Sequence, residues 1–217
     1  MSAKRVVIAD YGVGNLLSVA RALETCGAEA EVTGWPERIA SAERLVLPGV
    51  GAFGDCMEAF LARGLREPVL DFIASGRPMI GLCVGMQILF DRSLEFGDHA
   101  GLGLIPGEVR QIPKTTTDGV PHKTPHIGWT DIDVPAEAND DRWQNSMLHG
   151  LPRGTAMYFV HSFTACLENP RHRLADAYYG GQRISAAVSK DNIHGTQFHP
   201  EKSGTAGLRL LNNFLNM

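Results

Sequence analysis

Apolar positions follow two different rhythms along this chain. In roughly the first hundred residues, short continuous apolar runs alternate with stretches whose apolar residues recur every three or four positions. Arg5 to Asp10, Glu29 to Thr33, Leu45 to Leu47 and Pro78 to Leu82 predict strands. Asn15 to Cys26 has apolar residues at 16, 19, 20 and 23, the spacing of one helix face. Asp55 to Leu61, Glu67 to Ser75 and Met86 to Phe90 also read as helical. Short strands alternating with helices predict a parallel sheet covered by helices on both faces.

Beyond about Gly101 the rhythm changes. Gly, Pro, Thr and Asp become dense, and strand-like runs take over: Leu104 to Gln111, His126 to Val134, Ala156 to Thr164, Leu174 to Tyr179, Ile184 to Val188 and Ile193 to Phe198. Gly180-Gly181 between two of these predicts a hairpin turn. Lys114 to Thr124 and Pro135 to Asn145 read as polar surface loops, and Thr205 to Leu215 as a last helix with Leu208, Leu211 and Leu215 on one face. With no internal repeat and no linker, the expectation is a single α/β domain over 1–217. Its central, mostly parallel sheet is flanked by helices, with an additional antiparallel β region in the second half.

Composition narrows the function classes. Hydrophobic content of 44% and charged content of 20% are ordinary for a soluble globular chain. A net charge of −4 without any Lys/Arg run points away from nucleic acid and acidic membranes. No apolar run approaches the roughly 20 residues of a membrane helix. After Met1-Ser2-Ala3-Lys4-Arg5 the apolar run is too short for a signal peptide, so none is expected. Cys26, Cys56, Cys83 and Cys166 are widely spaced with no Cys-x-x-Cys pair, which argues against a zinc site or disulfide frame and for a reducing cytoplasm. The eight His form no His-x-x-x-His pattern, and neither metal nor cofactor is expected. Gly12-Val13-Gly14, with Glu31 further on, is a partial dinucleotide fingerprint, but Leu17 stands where its third glycine belongs.

The chemistry centres on Gly81-Leu82-Cys83-Val84-Gly85, lying between a predicted strand and a predicted helix. Gly-x-nucleophile-x-Gly at such a junction is a nucleophile elbow, here with Cys at the nucleophile position. Small neighbours let the backbone pack around a strained residue, and a helix starting at the sulfur would favour thiolate. A buried structural Cys in a Gly-rich turn would leave the same trace. A thiol nucleophile needs a base held by a third group. His199-Pro200-Glu201 offers both, because residues two apart in extended chain face the same side and Pro200 fixes the backbone between them. Seen alone, the pair could equally be a surface His and Glu at a strand end. Pro48-Gly49-Val50-Gly51, directly after a core strand, lies where α/β active sites sit. Backbone N–H groups there could form an oxyanion hole worth about 3–4 kcal/mol per donor, or the segment is a plain βα turn.

Together these residues resemble the class I (triad) glutamine amidotransferases, whose hallmarks are Gly81-x-Cys83-x-Gly85-Met86-Gln87 and Phe198-His199-Pro200-Glu201 in this order. Within that family, six blocks resemble its histidine-biosynthesis branch: Asp10 to Asn15, Pro48 to Phe53, Gly101 to Ile105, Pro125 to Trp129, Tyr158 to Ser162 and Gln197 to Ser203. The loops 114–124 and 135–145 look longer than the family pattern, and Thr124 replaces an expected aliphatic residue.

The resemblance implies that Cys83 attacks the glutamine carboxamide, that His199 protonates the departing ammonia and then activates water, and that Glu201 orients His199. It implies an oxyanion strand of Gly49, Val50 and Gly51 that needs rearrangement to become competent. Gln87, Glu95 and the segment His161, Ser162 and Phe163 would bind glutamine. It further implies a heterodimer with a (β/α)8-barrel cyclase subunit, which would use the ammonia to make imidazole glycerol phosphate and an aminoimidazole carboxamide ribonucleotide. Asp10, Asn15, Trp129 and Lys202 would face that partner. The alternatives are an amidotransferase subunit serving a pyridoxal phosphate synthase or a sugar-modifying cyclase homologue, a general cysteine hydrolase, or a non-catalytic regulatory module.

Overall fold

The computed structural model describes residues 4–217; Met1–Ala3, and with them part of the segment from which no signal peptide is expected, lie outside the described residues. The first half runs β1 (Lys4–Ala9), α1 (Leu16–Thr25), β2 (Ala28–Thr33), α2 (Pro36–Ala40), β3 (Leu45–Leu47), α3 (Phe53–Ala62), α4 (Arg66–Ala74), β4 (Met79–Leu82) and α5 (Val84–Gln87). It continues with β5 (Phe90–Ser93), β6 (His99–Ala100), β7 (Ile105–Gln111), β8 (His126–Ile132), β9 (Thr155–His161), β10 (Phe163–Leu167), β11 (Arg173–Tyr179), β12 (Gln182–Lys190), β13 (Ile193–Thr196) and α6 (Gly204–Leu215).

The central sheet has the order β11-β12-β13-β4-β3-β1-β2. From β2 across to β13 every pairing is parallel, and β12 and β11 extend it antiparallel. Its central strands β3 and β4 are apolar without alternation because both faces are covered. Val6 and Ile8 join the core that includes α1 and α6 residues, whereas Val7 joins the core on the other side, with Phe60 of α3 and Phe72 of α4. The strand–helix rhythm of the sequence is thus the parallel sheet, and its change near Gly101 is the antiparallel portion. Among the described residues no helix is long and apolar enough to cross a membrane.

Two smaller sheets build the wall over the strand ends: β10-β7-β5-β6 and the β8-β9 ribbon. The stretch expected as one strand over Ala156 to Thr164 is broken at Ser162. β9 pairs with β8 on one side of the break and β10 with β7 on the other, and Ser162 O accepts from Ile112 N–H at 2.9 Å. The expected hairpin is present, with Gly180 and Gly181 at φ +57° and +76° between paired Tyr179 and Gln182. Two positive φ values in succession suit the strand twist and favour glycine.

Two further expectations are corrected. The helix placed over Met86 to Phe90 is a single turn that ends at Gln87, and Phe90 opens β5. The loop 135–145 is only partly surface: Trp143 is buried, and its indole N–H donates to Leu174 O at 2.8 Å. The loop 114–124 lies at the surface as expected, tied to the β11–β12 hairpin by Tyr179 Oη donating to Lys123 O at 2.8 Å and Gln182 Nε2 to Thr115 O at 3.1 Å. A buried charge cluster fixes the far edge of the central sheet. Asp176, 1% exposed, accepts from Arg173 Nη1 at 2.9 Å and Arg183 Nε at 2.8 Å, and Arg183 reaches on to Glu137 at 2.7 Å.

Candidate active site

Cys83 stands alone between β4 and α5 at φ +54° and ψ −111°, a conformation disfavoured for any residue with a Cβ. Its N–H donates to Thr196 O of β13 at 2.7 Å, and its carbonyl accepts from Met86 and Gln87 N–H to begin α5. Backbone contact makes the surrounding glycines obligatory. A Cβ on Gly85 would stand 1.9 Å from Leu47 O, one on Gly81 2.5 Å from Gly85 O, and one on Gly49 2.4 Å from Gly85 N. The strained elbow expected from the sequence is therefore present. Its helix, one turn long, offers little of the macrodipole anticipated for the sulfur.

Cys83 lies at a cavity of about 190 Å³ whose walls are Val50 and Gly51, Gln87 and Glu95, the segment 161–163, and His199 with Lys202. His199 enters from the turn after β13. Its Nδ1 is 2.8 Å from Glu201 Oε1, and both side chains are almost completely buried. The Pro200–Lys202 turn brings the two together as the spacing implied. Nε2 of His199 is buried without a hydrogen-bond partner. Burial alone would lower its affinity for a proton, but Cys83 and Glu201 on either side outweigh that and raise its pKa to about 10. An imidazolium between a thiol and a carboxylate is the arrangement a Cys nucleophile requires.

The expected substrate-binding residues converge on the same cavity. Glu95 is buried, and its Oε2 accepts from Phe53 N–H at 2.7 Å. Burial holds its carboxyl above the ordinary range despite that bond. Gln87 Nε2 donates to Phe163 O at 3.1 Å and to Gln197 Oε1 at 3.0 Å. Phe163 O also receives His161 Nδ1 at 2.8 Å. A carbonyl can only accept, so His161 carries its proton on Nδ1 and offers Nε2 as an acceptor. His126 Nδ1, 3.0 Å from that Nε2, must then donate, and Thr130 Oγ1 donates to His126 Nε2 at 2.7 Å. Both rings are neutral: burial pushes His126 down to about 4 and His161 down to about 3. Phe159 and Tyr179 stack on His126 from either side at 4.9 and 4.2 Å.

The expected oxyanion segment is split in two. Val50 and Gly51 line the cavity, whereas Gly49 packs against the elbow backbone and its carbonyl accepts from Val84 N–H at 3.3 Å. Val84 follows the nucleophile, and the N–H at that position is the one an elbow normally directs at an oxyanion. Val50 O accepts from Cys56 Sγ at 3.3 Å. In this conformation a carbonyl occupies one of the donors that an oxyanion would use.

Of the four expected partner-facing residues, Trp129 and Lys202 gather around Tyr158. Trp129 is 58% exposed with its ring 6.0 Å from that of Tyr158, over which Lys202 Nζ lies at 5.9 Å. Asp10 and Asn15 bound the loop after β1; Asp10 Oδ1 accepts from Gly12 N–H at 3.0 Å. Tyr11 Oη donates to Pro48 O, which ties this loop to the oxyanion segment. Sequence reasoning gave no role to Gln197, Thr130 or His126. Gln197 could have been found by extending the two-residue alternation of 199 and 201 one step back.

The sequence family described as glutamine amidotransferase class-I matches residues 7–217. Curated relatives include an imidazole glycerol phosphate synthase subunit HisH 1 of Legionella pneumophila (strain Lens), 50% identical over 212 residues, covering 98% of this chain and 99% of the relative. The imidazole glycerol phosphate synthase subunit HisH of Syntrophotalea carbinolica is 46% identical over 213 residues, covering 98% of this chain and 100% of the relative. Among solved structures, PurLQS from Thermotoga maritima aligns over 99% of both chains with a TM-score of 0.74 at 21% identity. A structure described as a glutamine amidotransferase aligns over 97% of both with a TM-score of 0.71 at 20% identity. At that identity these two likenesses speak to the fold alone.

Proposed function

The chain belongs to the glutamine amidotransferase class-I family, and we propose that it is the glutaminase subunit of an imidazole glycerol phosphate synthase in histidine biosynthesis. On this reading residues 1–217 form one amidotransferase domain that works in the cytoplasm, in keeping with four free cysteines. The observation that carries it is the strained Cys83 facing a His199 already bonded to Glu201.

Cys83 Sγ attacks the carboxamide carbon of L-glutamine, and the carbonyl oxygen takes the negative charge. His199 Nε2 delivers a proton to the leaving nitrogen, ammonia departs, and a γ-glutamyl thioester remains. His199, now neutral, takes a proton from water as it attacks the thioester, and glutamate leaves with Cys83 regenerated. Glu201 keeps the ring oriented and supports its cationic form throughout. Glu95 faces the α-ammonium, and N–H groups of the 161–163 segment face the α-carboxylate.

Ammonia has no acceptor on this chain in this reading. A cyclase subunit with a (β/α)8 barrel takes it, docking around Trp129 and Lys202 and near the Asp10–Asn15 loop. The Gly49–Val84 hydrogen bond supports gating: the segment must shift before Val84 N–H can serve the oxyanion. The test is glutamate release by the chain alone and with the cyclase plus its nucleotide ligand, with Cys83→Ala as control. Strong stimulation abolished by that substitution is expected. Full activity without partner would remove the gating, and absence of glutamate release in both settings would overturn the reading.

A further inference from the structure

We propose that Gln197 is a further catalytic residue of this site, its side-chain amide aimed at the sulfur of Cys83 to stabilise the thiolate before it attacks. The proposal rests on the glutaminase reading above. Gln197 is completely buried, and its backbone N–H is anchored on Ala186 O at 2.9 Å. Its Nε2 lies 3.7 Å from Cys83 Sγ, within hydrogen-bonding range for sulfur, and its Oε1 accepts from Gln87 Nε2 at 3.0 Å.

Which end of the amide faces the sulfur follows from the chain of partners. Phe163 O can only accept, so Gln87 must turn its nitrogen toward it. The second hydrogen on that nitrogen then points at Gln197, which has to meet it with oxygen. The nitrogen of Gln197 is left for Cys83. Reversing Gln87 would set its oxygen against Phe163 O, and reversing Gln197 would set nitrogen against nitrogen. Each reversal would bury unmatched polar groups at a cost of about 1–3 kcal/mol per group. Gln87 therefore acts on the sulfur through Gln197, in addition to lining the cavity.

A neutral amide suits this task for a reason that His199 cannot meet. His199 gives up its charge when it protonates the departing ammonia and regains it only as water attacks, whereas the amide N–H of Gln197 faces the sulfur unchanged through every step. His199 and Lys202, Glu95, His161, Cys56 on α3 and Tyr11 after β1 also face or influence Cys83, and none is altered by substitution at 197.

The experiment is alkylation of Cys83 by iodoacetamide in the full chain, followed by peptide mass spectrometry so that Cys26, Cys56 and Cys166 are counted separately. In Gln197→Met, which removes the donor at similar volume, alkylation at neutral pH is expected to slow about tenfold, the worth of one hydrogen bond to an ion. The deficit should close at alkaline pH, where ionisation needs no help; a merely structural role would not move that profile. Gln197→Glu, which replaces the donor by a carboxylate, should slow the reaction at least as much. Wild-type rates and pH profile in either folded variant would overturn the proposal. Should neither variant fold, the wild-type chain decides. The side-chain amide resonances of Gln197 should shift as Cys83 ionises and stay fixed over the same range in Cys83→Ser, and unresponsive resonances would sink the idea. Glutamate release is measured in parallel with the cyclase. Its absence from wild type alongside intact alkylation effects would count against the glutaminase reading and leave the sulfur–amide contact standing.

Discussion

His199 Nδ1 lies 2.8 Å from Glu201 Oε1, two residues further along the chain, and the ring's other nitrogen faces the Cys83 side of the cavity unpartnered. The carboxylate's main service is charge, since any acceptor could orient the ring. In Glu201→Gln the bond can persist while the charge is lost. kcat for glutamate release is expected to fall about 10²-fold or more, the usual worth of general acid–base help, with KM nearly unchanged. Stability should respond as well. A His raised to about 10 binds its proton more tightly folded than unfolded, so its contribution is complete below the unfolded value near 6.5 and is lost as pH rises through about 10. Urea midpoints of wild type should therefore fall between pH 7 and 10, and those of Glu201→Gln should fall less.

At the acidic end three other histidines act in the opposite sense. Burial lowers His161 to about 3 and both His126 and His194 to about 4. Between those values and about 6.5 the unfolded chain binds more protons than the folded one, so stability declines as pH falls. The urea midpoint should drop from pH 7 to pH 5. His194→Gln, which removes a group remote from the glutamine cavity, should flatten the decline without changing glutamate release.

Gly85→Ala tests the elbow. The new methyl would stand 1.9 Å from Leu47 O, a backbone atom in the middle of the central sheet that cannot swing aside. Destabilisation of about 3 kcal/mol or more is expected in urea unfolding, because overpacking here strains two backbones at once. A loss below about 1 kcal/mol would mean that β3 and the elbow can separate, contrary to the clamp described above.

The charge cluster of β11 and β12 makes a second stability prediction. Asp176→Ala takes away the carboxylate that Arg173 and Arg183 share, leaving Arg173 with Ser185 and Arg183 with Glu137. A cost of about 1.5–3 kcal/mol is expected, the worth of the charge-assisted hydrogen bonds lost at two partly exposed cations. An unchanged urea slope would show that the substitution acts on stability rather than on the unfolded chain.

The Cys83 elbow, the His199–Glu201 contact and the parallel sheet were legible because each is local in sequence. Cys83 sits in its own Gly-x-Cys-x-Gly frame, His199 and Glu201 are two residues apart, and the buried strands are short apolar runs. What was illegible depends on distant pairing. Val84 to Phe90 is apolar apart from Gln87, and only parallel pairing of β5 with β7, together with the turn of chain at Ile88, divides it into a helical turn and a strand. The break at Ser162 exists because β8 and β7 claim the residues on either side. Trp143 in a polar loop is drawn inward by Leu174 O, a partner 31 residues away. α2 holds one fully buried side chain, Ile39, too little periodicity to read. The orientation of Gln197 follows from a relay of partners, from the Phe163 carbonyl on β10 through Gln87 on α5, that are far apart in sequence.

The carbonyl of Phe163 has two lone pairs, and His161 and Gln87 occupy both. It is a saturated acceptor in the wall of a substrate cavity, and it selects by refusal. On the proposed reading an incoming α-ammonium finds no vacancy there and meets the carboxylate of Glu95 as its counter-charge. Recognition of the α-ammonium, as distinct from the α-carboxylate at the 161–163 segment, then rests on one charge. A carboxamide without an α-amino group would leave the Glu95 carboxylate with the Phe53 N–H but no counter-charge, and should be a far poorer substrate than its size suggests.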